Sequence, residues 1–173
     1  MGVRWSTRTL ITVAVSFVDI EREFDLPPAI VWDALIDPVL LEGWLANAVV
    51  EPRVGGRYRL DWIEPRNLRP FVGVITELAP TVSLEVHAAA GESVRFELRA
   101  LKGGTRELST ALRVVLASAV DPRFARAVIA HWQSNLEQLE SLLRGHPVDW
   151  STWQHDRGQD WASRIQRAGP RLQ

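Results

Sequence analysis

The sequence predicts an α+β domain in which an antiparallel sheet packs against one long C-terminal helix. Two patterns support this fold class. Over residues 53–117, apolar and polar residues alternate in short runs separated by tight turns, which is typical of antiparallel strands. Over residues 121–145, the apolar residues instead repeat with a helical period. They form one stripe that only the sheet is large enough to bury.

A first strand and two short helices are predicted ahead of the main sheet. In the strand, residues 14–24, apolar residues alternate with acidic ones, so one face is buried. The prolines of "LPPAI" start the first helix, since proline is tolerated in a first turn. Asp37 and Pro38 restart the chain as a second helix, with Asp37 as its N-cap.

The main sheet and the long helix are predicted from the segments that follow. The strands lie in "RVGGRYRLDW", "FVGVITEL", "VSLEVH", "SVRFELRA" and "RELSTALRVVLA". "KGGT" forms a hairpin turn before the last strand, because glycine supplies the positive φ that such turns need. In the long helix, Asp121 is the expected cap, Pro122 opens the first turn and Gly145 ends the helix.

Residues 1–145 are therefore expected to form one domain, and residues 146–173 a tryptophan-rich C-terminal extension. In the extension, Trp161, Ile165 and Ala168 have helical spacing ahead of a Gly-Pro stop, which predicts a short helix. The tryptophans of this segment are costly to leave in water. The extension is therefore expected to dock, either on its own domain or on a second copy of the chain in a homodimer; the alternative is a disordered tail.

Composition and charge argue against several classes of function. The net charge of −1 leaves no overall field that would attract nucleic acid or anionic lipid. Residues 27–46 have the outline of a DNA-reading helix pair, but the second helix carries Glu42 and no basic residue. The absence of cysteine excludes disulfides and thiolate chemistry. No apolar run reaches the roughly 18 residues of a membrane span. We therefore expect a cytoplasmic protein with neither a nucleic-acid partner nor a membrane span.

Several segments of the chain, taken in order, resemble one superfamily. They are "VWDALIDPVLLEGWL", "EPRVGGRY", "GVITELAP", "GGTREL" and "HWQSNLEQLESLL". Their order and spacing over about residues 14–145 resemble the START-like (SRPBCC) superfamily, and within it the group named after the activator of the heat-shock chaperone ATPase. This resemblance implies a helix-grip fold, in which a curved antiparallel sheet of about six to seven strands wraps around the long helix. It also implies that the two short helices close one end and that an apolar cavity lies between sheet and helix.

The four histidines are the natural candidates for chemistry. His131 lies beside the apolar stripe of the long helix. It is either a half-exposed residue at the helix edge or a hydrogen-bonding group, or general base, that reaches into the cavity. His87 is expected on the polar face of its strand. His146 and His155 lie near three aspartates, but their spacing matches no metal-ligand pattern. No metal, cofactor or catalytic constellation is predicted.

The leading hypothesis is that the chain binds a small, largely apolar molecule in the internal cavity. Such cavities need aromatic and aliphatic walls with a few polar groups. The candidate binding residues are Tyr58, Trp62, Phe96, Phe124, Val128, His131 and Trp132, with Trp44 as a lid and Arg22 as a partner for an acidic group. Each of these residues can equally serve only to fill the core, and Arg22 can instead pair with a buried carboxylate.

Two other functions stay open. Some START-like proteins act as cyclases, aromatases or dehydratases on polyketide-like substrates. Here such an enzyme would have to use His131, or Arg22 with Tyr58, as its acid or base. The name of the resembling group implies instead a protein-interaction module that stimulates a chaperone ATPase.

Overall fold

The structure of the chain is a computed structural model that describes residues 5–12, 15–64, 66, 68–89, 91–103, 108–118 and 125–168. Within these ranges, eight strands form a single antiparallel sheet. They are β1 (Trp5–Thr12), β2 (Val15–Phe24), β3 (Ala46–Val50), β4 (Arg57–Trp62), β5 (Phe71–Ala79), β6 (Ser83–Ala88), β7 (Ser93–Lys102) and β8 (Leu108–Ser118). Their order across the sheet is β1-β2-β8-β7-β6-β5-β4-β3, so β1 and β3 are its edges.

The helices flank this sheet in chain order. They are α1 (Pro28–Ile36), α2 (Pro38–Glu42), α3 (Ala125–Leu143) and α4 (Gln159–Ala168), with a π-helical segment (Gln154–Gly158) before α4. α1 and α2 connect β2 to β3, and the curled sheet packs against α3, so the predicted α+β helix-grip fold is confirmed. No helix among the described residues is long and apolar enough to cross a membrane.

The break between α1 and α2 has the predicted capping chemistry. Asp37 Oδ1 accepts a hydrogen bond from the Val39 N–H at 2.8 Å. Pro38 occupies the first turn of α2, and Pro28 likewise opens α1. Because a proline in a first turn has no intrahelical hydrogen bond to lose, these residues start helices and do not interrupt them.

Two strands differ from the sequence-based expectation. The strand predicted at residues 14–24 is β2, and the structure adds β1 ahead of it, which pairs with β2 in antiparallel fashion. β3 is not among the predicted strands, because its sequence, "ANAVV", is short and lacks large alternating apolar residues. It pairs with β4 over its full length. The sheet therefore has eight strands where about six to seven were expected.

The core lies between the inner face of the sheet and α3. Alternate side chains of the central strands point inward, and most of them are almost fully buried. Examples are Ile20, Leu60, Ile75, Val86, Phe96 and Val114. From α3, Trp132, Leu136 and Leu139 supply the facing stripe. The apolar residues of the strand pattern and those of the helix pattern thus form one continuous cluster.

The outer face of the sheet is held by cross-strand ion pairs. Arg95 of β7 donates to Glu77 of β5 at 2.7 Å. Arg113 of β8 donates to Asp19 of β2 at 2.8 Å and to Glu97 of β7 at 2.9 Å. Hydrogen bonds from Arg95 hold the pKa of Glu77 and Glu97 below the ordinary value. These carboxylates are therefore structural partners of arginine.

The described part of the C-terminal extension, residues 146–168, returns along α3 and docks on its own chain. Gly145, with φ +86°, follows α3 in the left-handed conformation that favours glycine. The Val148 N–H then donates to the Gly43 carbonyl at 2.8 Å, which ties the extension to the turn after α2. α4 packs against α3, and Arg164 of α4 pairs with Glu137 of α3 at 2.8 Å.

Candidate functional site

One end of the interior is closed by α1, α2 and two aromatic side chains, Trp44 and Tyr58; we call it the capped end. Both residues are fully buried. Trp44 Nε1 donates to the Ala34 carbonyl at 2.9 Å, and the Tyr58 hydroxyl donates to the Leu35 carbonyl at 2.8 Å. These carbonyls belong to the last turn of α1, where they have no partner within the helix. Trp44 therefore lies in the structure as a bonded part of the core.

The middle of the interior holds two more of the candidate binding residues. Phe96 of β7 is fully buried, and Trp132 of α3 is 7% exposed. Their ring centroids lie 6.2 Å apart in a tilted arrangement, so sheet and helix are in direct contact here. Phe124, which was also a candidate, lies outside the described residues.

The opposite end of the interior, beside the start of α3, is less completely buried. The inner-face apolar side chains here are only half-buried, and we call this region the half-buried end. Its members are Trp62, Phe71, Leu116, Val128 and Ile129. Trp62 ends β4, Phe71 begins β5, Leu116 is near the end of β8, and Val128 and Ile129 lie in the first half of α3. Trp62 Nε1 donates to the Arg69 carbonyl at 2.9 Å.

Arg22 lies apart from the half-buried end, and it pairs with a carboxylate. It is 3% exposed on the inner face of β2, as its alternation predicts. Its Nη2 donates to Glu140 of α3, and the guanidinium lies 5.8 Å from the centroid of the Phe24 ring. The structure therefore shows Arg22 paired with a half-buried carboxylate.

His131 stands between the half-buried end and the C-terminal extension. Its ring packs in a T-shaped arrangement against both Trp62 and Trp161, with centroids 6.0 Å apart in each pair. Trp161 Nε1 donates to His131 Nδ1 at 3.1 Å. Burial lowers the pKa of His131 to about 4, so the ring is neutral at neutral pH.

Gln138 joins the extension to the capped end. Its Oε1 accepts from Trp153 Nε1 at 2.7 Å, and its Nε2 donates to the Trp44 carbonyl at 2.8 Å. Gln138 and Trp153 are each 4% exposed. One buried amide therefore holds α3, the corner after α2 and the extension together.

Two further hydrogen bonds fix the extension to the edge of the domain. Trp150 Nε1 donates to the Glu42 carbonyl at 2.6 Å. Gln154 Nε2 donates to Glu64 at 2.7 Å, and that carboxylate, which is 6% exposed, also accepts from Arg66 at 3.0 Å. The extension therefore covers the seam between α3 and the α2–β4 side of the sheet.

A pocket of about 510 Å³ lies between α3 and the C-terminal extension. It is not the cavity between sheet and helix that the resemblance implies. Four carboxylates and two indoles are among its lining groups: Glu137, Asp149, Asp156, Asp160, Trp153 and Trp161. His146, a lining residue, joins no potential metal-binding group of three or more His, Cys, Asp or Glu residues in the part of the chain that the structure describes.

The sequence-based reasoning did not identify Asn135 and Gln138 as residues of interest. Both are buried polar residues of α3, and with His131 they form a line at spacings of four and three. That spacing places them on one helix face, next to the apolar stripe. The spacing of these polar residues can be seen in the sequence. Their role becomes clear only from the structure, in which Trp161 bonds to His131 and Trp153 bonds to Gln138.

Comparison with known proteins adds a family match. A family model described as Activator of Hsp90 ATPase homolog 1-like protein matches residues 25–144. The match runs from before α1 to the end of α3, so the C-terminal extension lies outside it. Among curated proteins, no sequence matches the chain.

Solved structures share the fold. CalU16 from Micromonospora echinospora is 20% identical, with a TM-score of 0.60 over 96% of this chain and 99% of that one. Protein MLL2253 from Mesorhizobium loti is 26% identical, with a TM-score of 0.61 over 76% of this chain and 99% of that one. Ms6760 from Mycobacterium smegmatis is 20% identical, with a TM-score of 0.63 over 83% of this chain and 99% of that one.

Proposed function

Since the chain belongs to the Activator of Hsp90 ATPase homolog 1-like family, whose fold is in general a ligand-binding one, we propose that it binds a small, largely apolar molecule. The molecule would lie between the sheet and the first half of α3. The observation that carries the proposal is the graded burial of the inner face. Aromatic residues are fully buried at the capped end, whereas Trp62 and Val128 are half-buried at the other.

The chemistry of the half-buried end supports an apolar ligand. Its surface is made of aromatic and aliphatic side chains, and His131 is the polar group beside them. Ligand sites in proteins commonly combine such walls with a few placed polar groups. The pocket beside the extension suits an apolar molecule less well, because carboxylates contribute to its lining. We therefore propose Trp62, Val128 and His131 as the contact residues.

The other candidate binding residues would then have a supporting role. Trp44, Tyr58, Phe96 and Trp132 pack behind the half-buried end and give it a rigid base. A rigid base favours binding, because little side-chain freedom is lost when the ligand arrives. Arg22 would hold β2 against α3 through Glu140.

A filling substitution tests the proposal. The uncharged dye N-phenyl-1-naphthylamine becomes fluorescent in apolar sites, so its titration reports binding directly. Val128→Trp should fill the half-buried end and weaken dye binding by at least about tenfold, which corresponds to roughly 1.4 kcal/mol. Val74→Trp is the matched control, because Val74 lies on the outer face of β5 and is 47% exposed. Equal binding by both variants would contradict the proposed location.

Catalysis is less well supported than binding. A cyclase- or dehydratase-like reaction would need an acid or base, and the candidates from the sequence are His131, or Arg22 with Tyr58. The lone pair on His131 Nδ1 accepts the Trp161 N–H, so that nitrogen cannot take a proton from a substrate while the bond is kept. The chaperone-stimulating alternative draws its support from the family's name, and no feature of the described surface favours it specifically.

A further inference from the structure

A line of three polar side chains on α3 points to the chemistry of the ligand, an inference that deepens the proposed function and rests on it. His131, Asn135 and Gln138 follow one another on one face of the helix. Asn135 is 5% exposed and Gln138 is 4% exposed. Each end of the line is bonded to an indole of the extension, Trp161 at His131 and Trp153 at Gln138.

The two indoles fix the direction of the hydrogen bonds from both ends, because an indole N–H can only donate. Gln138 must turn Oε1 to Trp153, so its Nε2 faces the Trp44 carbonyl and, at 3.5 Å, Asn135 Oδ1. His131 must keep a lone pair on Nδ1 for Trp161. A neutral imidazole has one such nitrogen, so the proton of His131 lies on Nε2.

Two donors therefore meet at Asn135. The Nε2–H of His131 faces Asn135 Nδ2, and the two nitrogens are 3.2 Å apart. Turning the Asn135 amide over would give His131 an acceptor, but Asn135 Nδ2 would then face Gln138 Nε2. In either orientation, two N–H donors on this line face each other. A mismatch of this kind is unfavourable in a protein interior, where buried donors are almost always paired.

We propose that the ligand supplies the missing acceptor, and that the site therefore selects apolar molecules that carry a carbonyl oxygen. The His131 ring lies edge-on to Trp62, so this mismatch adjoins the apolar surface of the half-buried end. A carbonyl oxygen has two lone pairs and no hydrogen to donate, so it can accept from His131 Nε2 and Asn135 Nδ2 together. A hydroxyl or amine would bring a further donor to the same point.

Trp161 is thus a positioning residue for the ligand's polar end. Its N–H holds the His131 tautomer that donates from Nε2. The low pKa of His131, about 4 because of burial, keeps the ring neutral over the neutral pH range. His131 then donates as a neutral imidazole, and its hydrogen-bonding role does not change between pH values well above 4.

The tautomer is tested first, on the full chain without any probe. In a ¹H–¹⁵N spectrum of the imidazole groups, His131 should show a protonated Nε2 and an unprotonated Nδ1. Trp161→Phe removes the N–H and keeps a ring, so the Nδ1–H tautomer should become populated. Trp150→Phe is the control, because this indole of the same extension donates to the Glu42 carbonyl. A wild-type His131 with its proton on Nδ1 would overturn the proposal.

The ligand class is tested with two probes of nearly the same shape. 2-Acetylnaphthalene carries a carbonyl oxygen, and 2-isopropenylnaphthalene has a methylene group in its place. In equilibrium dialysis, the wild type and Trp150→Phe should bind the carbonyl probe about tenfold more tightly, which one net hydrogen bond accounts for. In Trp161→Phe the preference should fall to less than about threefold.

The two proposals can fail separately. Equal affinities of the wild type for the two probes would overturn the carbonyl preference and leave the proposed function standing. An unchanged preference in Trp161→Phe would overturn the positioning role of Trp161. If neither probe binds the wild type, the proposed function itself fails, and the inference about the ligand falls with it.

Discussion

The capped end and the half-buried end of the interior are built from similar residues but closed in different ways. At the capped end, the polar atoms of Trp44 and Tyr58 bond to carbonyls in the last turn of α1. At the half-buried end, Trp62 bonds to a loop carbonyl, that of Arg69, and keeps part of its surface exposed. A last-turn carbonyl lacks a helical partner, so the bond fixes ring and helix together. The capped end is therefore closed by hydrogen bonds between side chains and the backbone of α1.

This difference shows that aromatic content alone does not locate a binding surface. Tyr58 and Trp62 lie on the same strand and the same face, and their residue types gave equal reason to propose both as ligand contacts. Their hydrogen-bond partners and their burial separate them. Only the residue at the half-buried end offers surface that a ligand can cover, and the predictions below test that distinction.

The largest effect is expected from truncating the buried indole at the capped end. Trp44→Ala should lower the free energy of unfolding by about 3–5 kcal/mol, because it leaves a cavity and removes the bond to Ala34. Trp62→Ala should cost only roughly 1–2 kcal/mol, since its side chain is half-buried. Urea denaturation followed by circular dichroism measures both losses. Similar losses at the two positions would contradict the distinction between the ends.

Much of the fold could be predicted because the periodicity of a strand or helix is local. The alternation in "SVRFELRA" and the stripe from Val128 to Leu143 each define a buried face without reference to the rest of the chain. Asp37 and Pro38 similarly specify a helix start by their own chemistry. β3 was missed because it is short and its burial comes from its neighbour β4, which no local pattern records.

The site was harder to predict because it depends on contacts between distant segments. The sequence indicated that the extension docks, but its tryptophans do not specify the surface that receives them. Trp153 bonds to Gln138 and Trp161 bonds to His131, and both partners lie on α3, which precedes the extension in the chain. For the same reason, Arg22 was placed correctly on the inner face, but its partner, Glu140, could not be named from the sequence.

An effect of intermediate size is expected when the pH is lowered, because His131, beside the half-buried end, resists protonation in the folded chain. The pKa of His131 is about 4 in the folded chain and 6.5 ordinarily, so between these values the unfolded chain binds more protons. The contribution of His131 to the free energy of unfolding should therefore be fully present above pH 6.5 and fall by about 3 kcal/mol by pH 4. Urea denaturation at several pH values measures this slope.

Two histidine variants separate His131 from the other groups that titrate in this range. His131→Gln should remove its share of the slope and retain a polar side chain. His87→Gln is the matched control for the replacement of a histidine, because His87 is exposed on the outer face of β6. If His131→Gln does not reduce the dependence of the free energy of unfolding on pH, then burial of the His131 ring is not its cause.

The smallest effect, Tyr58→Phe, distinguishes the two ends most sharply. Losing the hydroxyl should cost about 1 kcal/mol, because the buried Leu35 carbonyl loses its donor while the ring volume is kept. Affinity for N-phenyl-1-naphthylamine should nevertheless stay within about twofold of the wild type, since the capped end forms only the base of the proposed site. If Tyr58→Phe weakens dye binding as strongly as Val128→Trp does, the ligand contacts the capped end. The Tyr58 hydroxyl would then bond to the ligand when the ligand is present, and to the Leu35 carbonyl of α1 when it is absent.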